Sequence, residues 1–247
     1  MNKIKFFAIS SIFILSACGS DGSTPTSASR VGASGFVASD TPAPPLEISS
    51  QELDSAMKCR EGFGPDSGRA VLLVPGATQT VESNFSWNYI PAFDKAGIPW
   101  CAVDLPNSNT GELQASSEYI THAIRKMFNT TKTKIAIVGF SQGGVIALHL
   151  LPRLPYKLAG VMALSTYMAV PGKLKEEMTG VNKSTAVLVN HGTHDEVVPY
   201  SAGQAAFNAL KFAGFTVNWA EYRMGHSVCP QQIADISRFI QQQLPAL

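Results

Sequence analysis

The 247-residue chain predicts an α/β fold: a mostly parallel central sheet with helices on both faces. Three observations point there. Short β-branched and apolar runs alternate with helix-like segments from Arg69 to the C-terminal region. A hydrophobic content of 45% in a chain of this length can bury one large core without cross-links. The segment IAIVGFSQGGVIALHLL, 135–151, runs from a strand into a helix through a turn that sets one serine among glycines.

The elements follow in order. Residues 69–75, RAVLLVP, read as a buried strand ending at Gly76, and 98–105, IPWCAVDL, as a second, with a helix over 88–96 between them. Residues 112–128 are helical, because Tyr119, Ile120, Ala123, Ile124, Met127 and Phe128 form one apolar stripe at helical spacing. A strand over 134–139 leads into the serine turn and a helix to about Leu151, closed by Pro152. Strands over 158–165, 185–190 and 216–222 follow, with helices over 201–213 and about 230–243.

Residues 1–18 stand apart from this pattern. Lys3 and Lys5 precede an apolar stretch from Phe6 to Leu15, too short for a permanent membrane helix and laid out like a secretory signal. Leu15-Ser16-Ala17-Cys18 resembles the bacterial lipobox, in which the cysteine is lipid-modified. The expectation is an exported bacterial lipoprotein, anchored to a membrane through Cys18 (the outer membrane in a Gram-negative host) or secreted. Residues 19–45, rich in Gly, Ser, Thr, Ala and Pro, read as a disordered tether reaching roughly 30 Å, and 46–247 as the catalytic domain. The formal net charge of +1 and the absence of any charge block exclude nucleic acid as an expected partner, and a monomer is expected. Of the other cysteines, Cys59 and Cys101 flank early strands and are the preferred disulfide pair over Cys229, although spacing alone leaves the pairing open.

Gly139-Phe140-Ser141-Gln142-Gly143 fits the G-x-S-x-G nucleophile elbow, in which small neighbours let a strand turn sharply into a helix and expose the serine. A serine hydroxyl is a weak nucleophile. It needs a histidine within hydrogen-bond reach and an acid to orient that histidine. His226, in the late loop RMGHSVCP, is the candidate base. Asp195 in HGTHDEVVP is the favoured acid, with Glu196 as the alternative. His122 is expected on a solvent-facing side of its helix, His149 behind the nucleophile, and His191 and His194 as loop-shaping or rim residues. A zinc site from His191, His194 and Asp195 does not have the spacing of a standard zinc motif, and neither metal nor organic cofactor is expected. The N–H of Gln142 at the helix N-terminus and the N–H of Ala77 in the loop PGATQT, 75–80, are the candidate oxyanion donors.

Two resemblances add to this reading. LDSAMKC, VLLVPGATQT, SNFSWNYIPAF, GIPWCAVD and SQGG, spread over about 53–144, resemble the Candida antarctica lipase B family. That resemblance implies that Cys59 pairs with Cys101 and that Ala77 stands where the family carries a threonine, whose hydroxyl donor is missing here. HGTHDEVVP and YRMGHSVCPQQIADI resemble the bacterial carboxylesterase and acyl-protein thioesterase family of α/β-hydrolases, which implies an acid at Asp195 and a base at His226. The segment where such folds insert a lid, 166–184, is short. It is expected to form one helix around 172–178, with Tyr167, Met168 and Val170 either lining an acyl pocket or packing on the sheet edge.

The combined expectation is an α/β-hydrolase with a short cap that cleaves carboxylic esters of small-molecule or lipid type through an acyl-enzyme on Ser141. A thioesterase, a cutinase-like polyester depolymerase and a non-catalytic ligand-binding lipoprotein are the alternatives.

Overall fold

The computed structural model describes residues 48–244. The signal segment 1–18 with Cys18 and the whole region read as a tether, 19–45, lie outside the described residues. Seven strands form one sheet: β1 (Met57–Cys59), β2 (Val71–Val74), β3 (Trp100–Val103), β4 (Ala136–Phe140), β5 (Gly160–Leu164), β6 (Ala186–Gly192) and β7 (Val217–Tyr222). Their spatial order is β1-β3-β2-β4-β5-β6-β7. Only the edge strand β1 runs antiparallel, to β3; every other pairing is parallel.

The helices are α1 (Ser50–Ser55), α2 (Val81–Phe85), α3 (Tyr89–Ala96), α4 (Leu113–Thr131), α5 (Gln142–Leu150), α6 (Tyr200–Phe212) and α7 (Pro230–Gln243). Successive strand residues point to opposite faces, so Leu72 joins the core under α4, α5 and α6, while Leu73 joins the core under α2, α3 and α7. This two-sided burial explains why β2, β4 and β5 are apolar without alternation. The α4 stripe is as expected: Tyr119, Ile120, Ala123, Ile124 and Met127 are buried. A left-handed Lys132 ends the helix.

Three features depart from the sequence reading. β1 is only three residues long and owes its existence to pairing with β3, a non-local contact. α2 is five residues long, too short to show a helical period, and is held by Thr80, whose side chain accepts from the Ser83 N–H. The expected helix around 172–178 is instead a 3₁₀ turn, Pro171–Lys173. Leu174 is the buried apolar residue of that stretch, so no continuous stripe exists to hold a longer helix. On the side of α4 away from the buried stripe, His122 lies 2.6 Å from Asp54 of α1, which also pairs with Lys126. The hydrogen bonds from Lys126 and then His122 hold the Asp54 carboxyl below its ordinary range.

Cys59 and Cys101 are directly paired in register across β1 and β3 and are disulfide-bonded. Cys229 is a free thiol at the start of α7. Among the described residues, no helix is long and apolar enough to cross a membrane.

Candidate active site

Ser141 occupies the single turn between β4 and α5 with φ 51° and ψ −119°, a region that L-residues rarely adopt. The surroundings hold that geometry. The Ser141 N–H donates to the Leu164 carbonyl at 2.8 Å, and its own carbonyl accepts from the Thr166 hydroxyl at 2.8 Å and from the Val145 N–H. Thr166 is fully buried. Gly139 is required because a Cβ there would meet the Gly143 carbonyl oxygen at 2.5 Å.

The loop after β2 passes directly beside the serine: a Cβ on Gly76 would stand 3.1 Å from the Ser141 Cβ. Two buried asparagines fasten this loop. Asn84 Oδ1 accepts from the Gly76 N–H at 2.9 Å, and Asn109 Nδ2 donates to the Pro75 carbonyl at 2.9 Å. Thr78, two residues on from Gly76, has φ 63°. Ala77 therefore sits in a loop whose path is set on both sides, and Gln142 is the first residue of α5, where helix N–H groups are unpaired and the helix dipole is positive. The sequence reading missed Asn84 and Asn109. The signal for Asn84 was its place between Val81 and Phe85 on the buried side of a one-turn helix.

Asp195 and His226 come together from loops after β6 and β7. His226 Nδ1 lies 2.8 Å from Asp195 Oδ2. The other carboxylate oxygen accepts from the N–H groups of Val197 and Val198 at 2.9 and 2.8 Å, so the buried charge is fully hydrogen-bonded. A carboxylate oxygen accepts, so this contact calls for the Nδ1–H tautomer of His226 and leaves Nε2 as the free ring nitrogen. The ring of Phe140, the residue before Ser141, packs 4.8 Å from the His226 ring and brings the histidine to the elbow. The two loops are tied by N–H bonds from Thr193 to Tyr222 and from His194 to Met224.

Glu196 is exposed and His194 lies at the surface with its ring on the Thr193 hydroxyl. His191 is fully buried. Its Nε2–H donates to the Val198 carbonyl at 2.9 Å and lies 3.5 Å from Asp195 Oδ2, so it shapes the loop that carries the acid. His149, half-buried on α5, is held below its ordinary pKa by burial first and the Arg153 charge second. No group of three or more His, Cys, Asp or Glu among the described residues is placed to hold a metal ion. Met168 packs against the core, whereas Tyr167 and Val170 are exposed on the short segment after β5.

Comparison with known proteins agrees with this architecture. The phospholipase/carboxylesterase family matches residues 104–244. Acyl-protein thioesterase 1 of Gibberella zeae is 30% identical over 144 residues, covering 56% of this chain and 61% of the relative. Acyl-protein thioesterase 1 of Saccharomyces cerevisiae is 36% identical over 115 residues, covering 45% of this chain and 50% of the relative. The chain thus spans about half to three-fifths of the length of these curated relatives. Among solved structures, esterase PE8 superposes with a TM-score of 0.62 at 20% identity, covering 74% of this chain and 95% of that one. Zea mays acyl-protein thioesterase 2 gives 0.61 at 18% identity, covering 76% and 98%. These structures share the fold.

The relatives correct one expectation. Residues 1–18 were read as placing the protein among exported, membrane-anchored bacterial lipoproteins, but the proteins matched are acyl-protein thioesterases of fungi. The lipobox is a local pattern of a few residues, whereas the relatives match over more than a hundred, and that longer match overturns the localisation. With an elbow serine on a seven-stranded sheet and a matched segment that holds Ser141, Asp195 and His226, the chain belongs to the phospholipase/carboxylesterase family of α/β-hydrolases, a family of serine hydrolases.

Proposed function

We propose that this protein hydrolyses acyl thioesters through an acyl-enzyme formed on Ser141. The observation that carries the reading is the Asp195–His226 contact of 2.8 Å beside the strained Ser141 turn. His226 Nε2 takes the Ser141 proton as Oγ attacks the acyl carbonyl, and Asp195 holds the imidazole and balances its charge. The N–H groups of Gln142 and Ala77 receive the oxyanion. The thiol then leaves, and water activated by His226 releases the acyl group as a carboxylic acid.

The thioester class is favoured over the carboxylic ester first expected because the curated relatives are named acyl-protein thioesterases. The chemistry is compatible, since a thiol is more acidic than an alcohol and its departure asks less of His226 as an acid. Tyr167, Val170 and Val197 stand exposed on the segments after β5 and β6, and such apolar side chains suit an acyl chain. The second reading, carboxylic ester hydrolysis, rests on the family's own description and uses the same groups.

The test is a matched pair of substrates with one acyl chain, as thioester and as oxyester. The expected kcat/KM is at least tenfold higher for the thioester, and Ser141→Ala abolishes both. Equal or higher oxyester turnover overturns the thioester assignment in favour of the second reading.

A further inference from the structure

At the end of the sheet remote from Ser141, four strand entries converge on one cavity. Arg69 lies two residues before Val71 of β2, and Lys134 two residues before Ala136 of β4; Val71 and Ala136 are register partners. The two cations therefore enter neighbouring strands at the same level. Lys157 precedes β5, whose first residue Gly160 pairs with Ala136, and Ser184 precedes β6, whose first residue Ala186 pairs with Gly160. These residues line a cavity of about 310 Å³. Backbone bonds from Ala136 to Ala70 at 3.0 Å and from Ala159 to Ile135 at 2.9 Å hold its floor in one arrangement.

Among the described residues, no carboxylate lines the cavity and none pairs with Arg69, Lys134 or Lys157. Several other cations of the chain do have carboxylate partners: Lys58 pairs with Asp104, Lys126 with Asp54 and Lys173 with Glu176. Here three cations line one cavity. Burial and then the nearby Lys134 charge hold the Lys157 ammonium below its ordinary pKa. The donors are also aimed: Lys157 Nζ donates to the Ser184 hydroxyl at 2.8 Å, and Arg69 Nη1 donates to the Gln243 carbonyl at 3.2 Å.

We propose that this cavity is a binding site for a small phosphate-bearing anion. Three converging cations match a ligand of two or more negative charges, and an Arg guanidinium beside ammonium groups is a donor set that recognises phosphate oxygens. The concave shape and the volume suit a small molecule. Because Lys134 precedes β4 and Ser141 follows it, the site lies across the sheet from the hydrolytic chemistry and does not depend on it.

Pyrophosphate is the probe. Calorimetric titration of the whole chain at physiological salt is expected to show one site, and the Lys134→Ala/Lys157→Ala double variant to bind at least 30-fold more weakly while ester and thioester turnover stay unchanged. A second measurement does not need the variant. Pyrophosphate should protect Lys134 and Lys157 from an amine-reactive label, read by mass spectrometry, and leave Lys58 and Lys173 as reactive as before. Sulfate at equal ionic strength should protect them several-fold less. Equal affinity of parent and double variant, or no protection of Lys134 and Lys157, overturns the site. Equal protection by sulfate overturns the phosphate class.

Discussion

Gly143 has its Cα turned against the backbone of Val74: a Cβ there would stand 2.2 Å from the Val74 carbonyl oxygen. α5 and β2 pass that closely directly below the serine turn, so the elbow depends on a missing side chain as much as on the serine. Gly143→Ala should lower stability by about 3 kcal/mol or more, since backbone has nowhere to yield. Urea unfolding checks it, and a variant as stable as the parent contradicts this packing.

Ser141→Ala should remove turnover by a factor of about 1,000 or more while leaving the melting temperature nearly unchanged. The side chain contributes no hydrogen bond to the fold; the backbone of Ser141 makes the contacts to Leu164 and Thr166. Residual activity near the parent level would place the nucleophile elsewhere.

Asp195→Asn and His226→Ala should each lower kcat by about 1,000-fold or more, because the imidazole loses its orienting carboxylate or is itself lost. Glu196→Gln should stay within about twofold, since that side chain is exposed and outside the hydrogen-bonded pair. Steady-state kinetics on one substrate separates the two carboxylates; a dead Glu196→Gln enzyme would reverse the assignment.

Asn84→Ala should leave the Gly76 N–H without its buried acceptor, at a cost of about 1–3 kcal/mol in stability. The Ala77 N–H belongs to the same loop, so kcat should fall more than KM rises. A stability loss with unchanged kcat would separate the loop from oxyanion binding.

Ala77→Thr should raise turnover modestly. A well-aimed oxyanion donor contributes about 2.7–4 kcal/mol, but this half-exposed loop admits water and was shaped around alanine, so about 1 kcal/mol is expected. The variant is compared with the parent by kcat/KM alongside a thermal melt. Lower turnover in a folded enzyme would mean that the loop does not aim residue 77 as the lipase B resemblance implies.

The local chemistry of the chain is written in short stretches and was legible there. The alternating apolar runs announced a parallel sheet, because strands buried on both faces need no polar face. Gly139 to Gly143 announced the elbow, because only small residues permit that turn. The order of Ser141, Asp195 and His226 along the chain named the candidate triad, and the structure brings Asp195 and His226 to 2.8 Å.

What the tertiary structure alone decided depends on contacts between distant segments. β1 exists because β3 lies beside it, and the helix expected around 172–178 fails because one buried leucine cannot hold it. Asn84 and Asn109 look like ordinary surface residues until the fold sets them under Pro75 and Gly76. Arg69, Lys134 and Lys157 are spread over a chain whose net charge is only +1, and no sequence window contains them together. Strand register gathers them at one end of the sheet. Charge adds up through space, whereas a sequence displays it only along the chain.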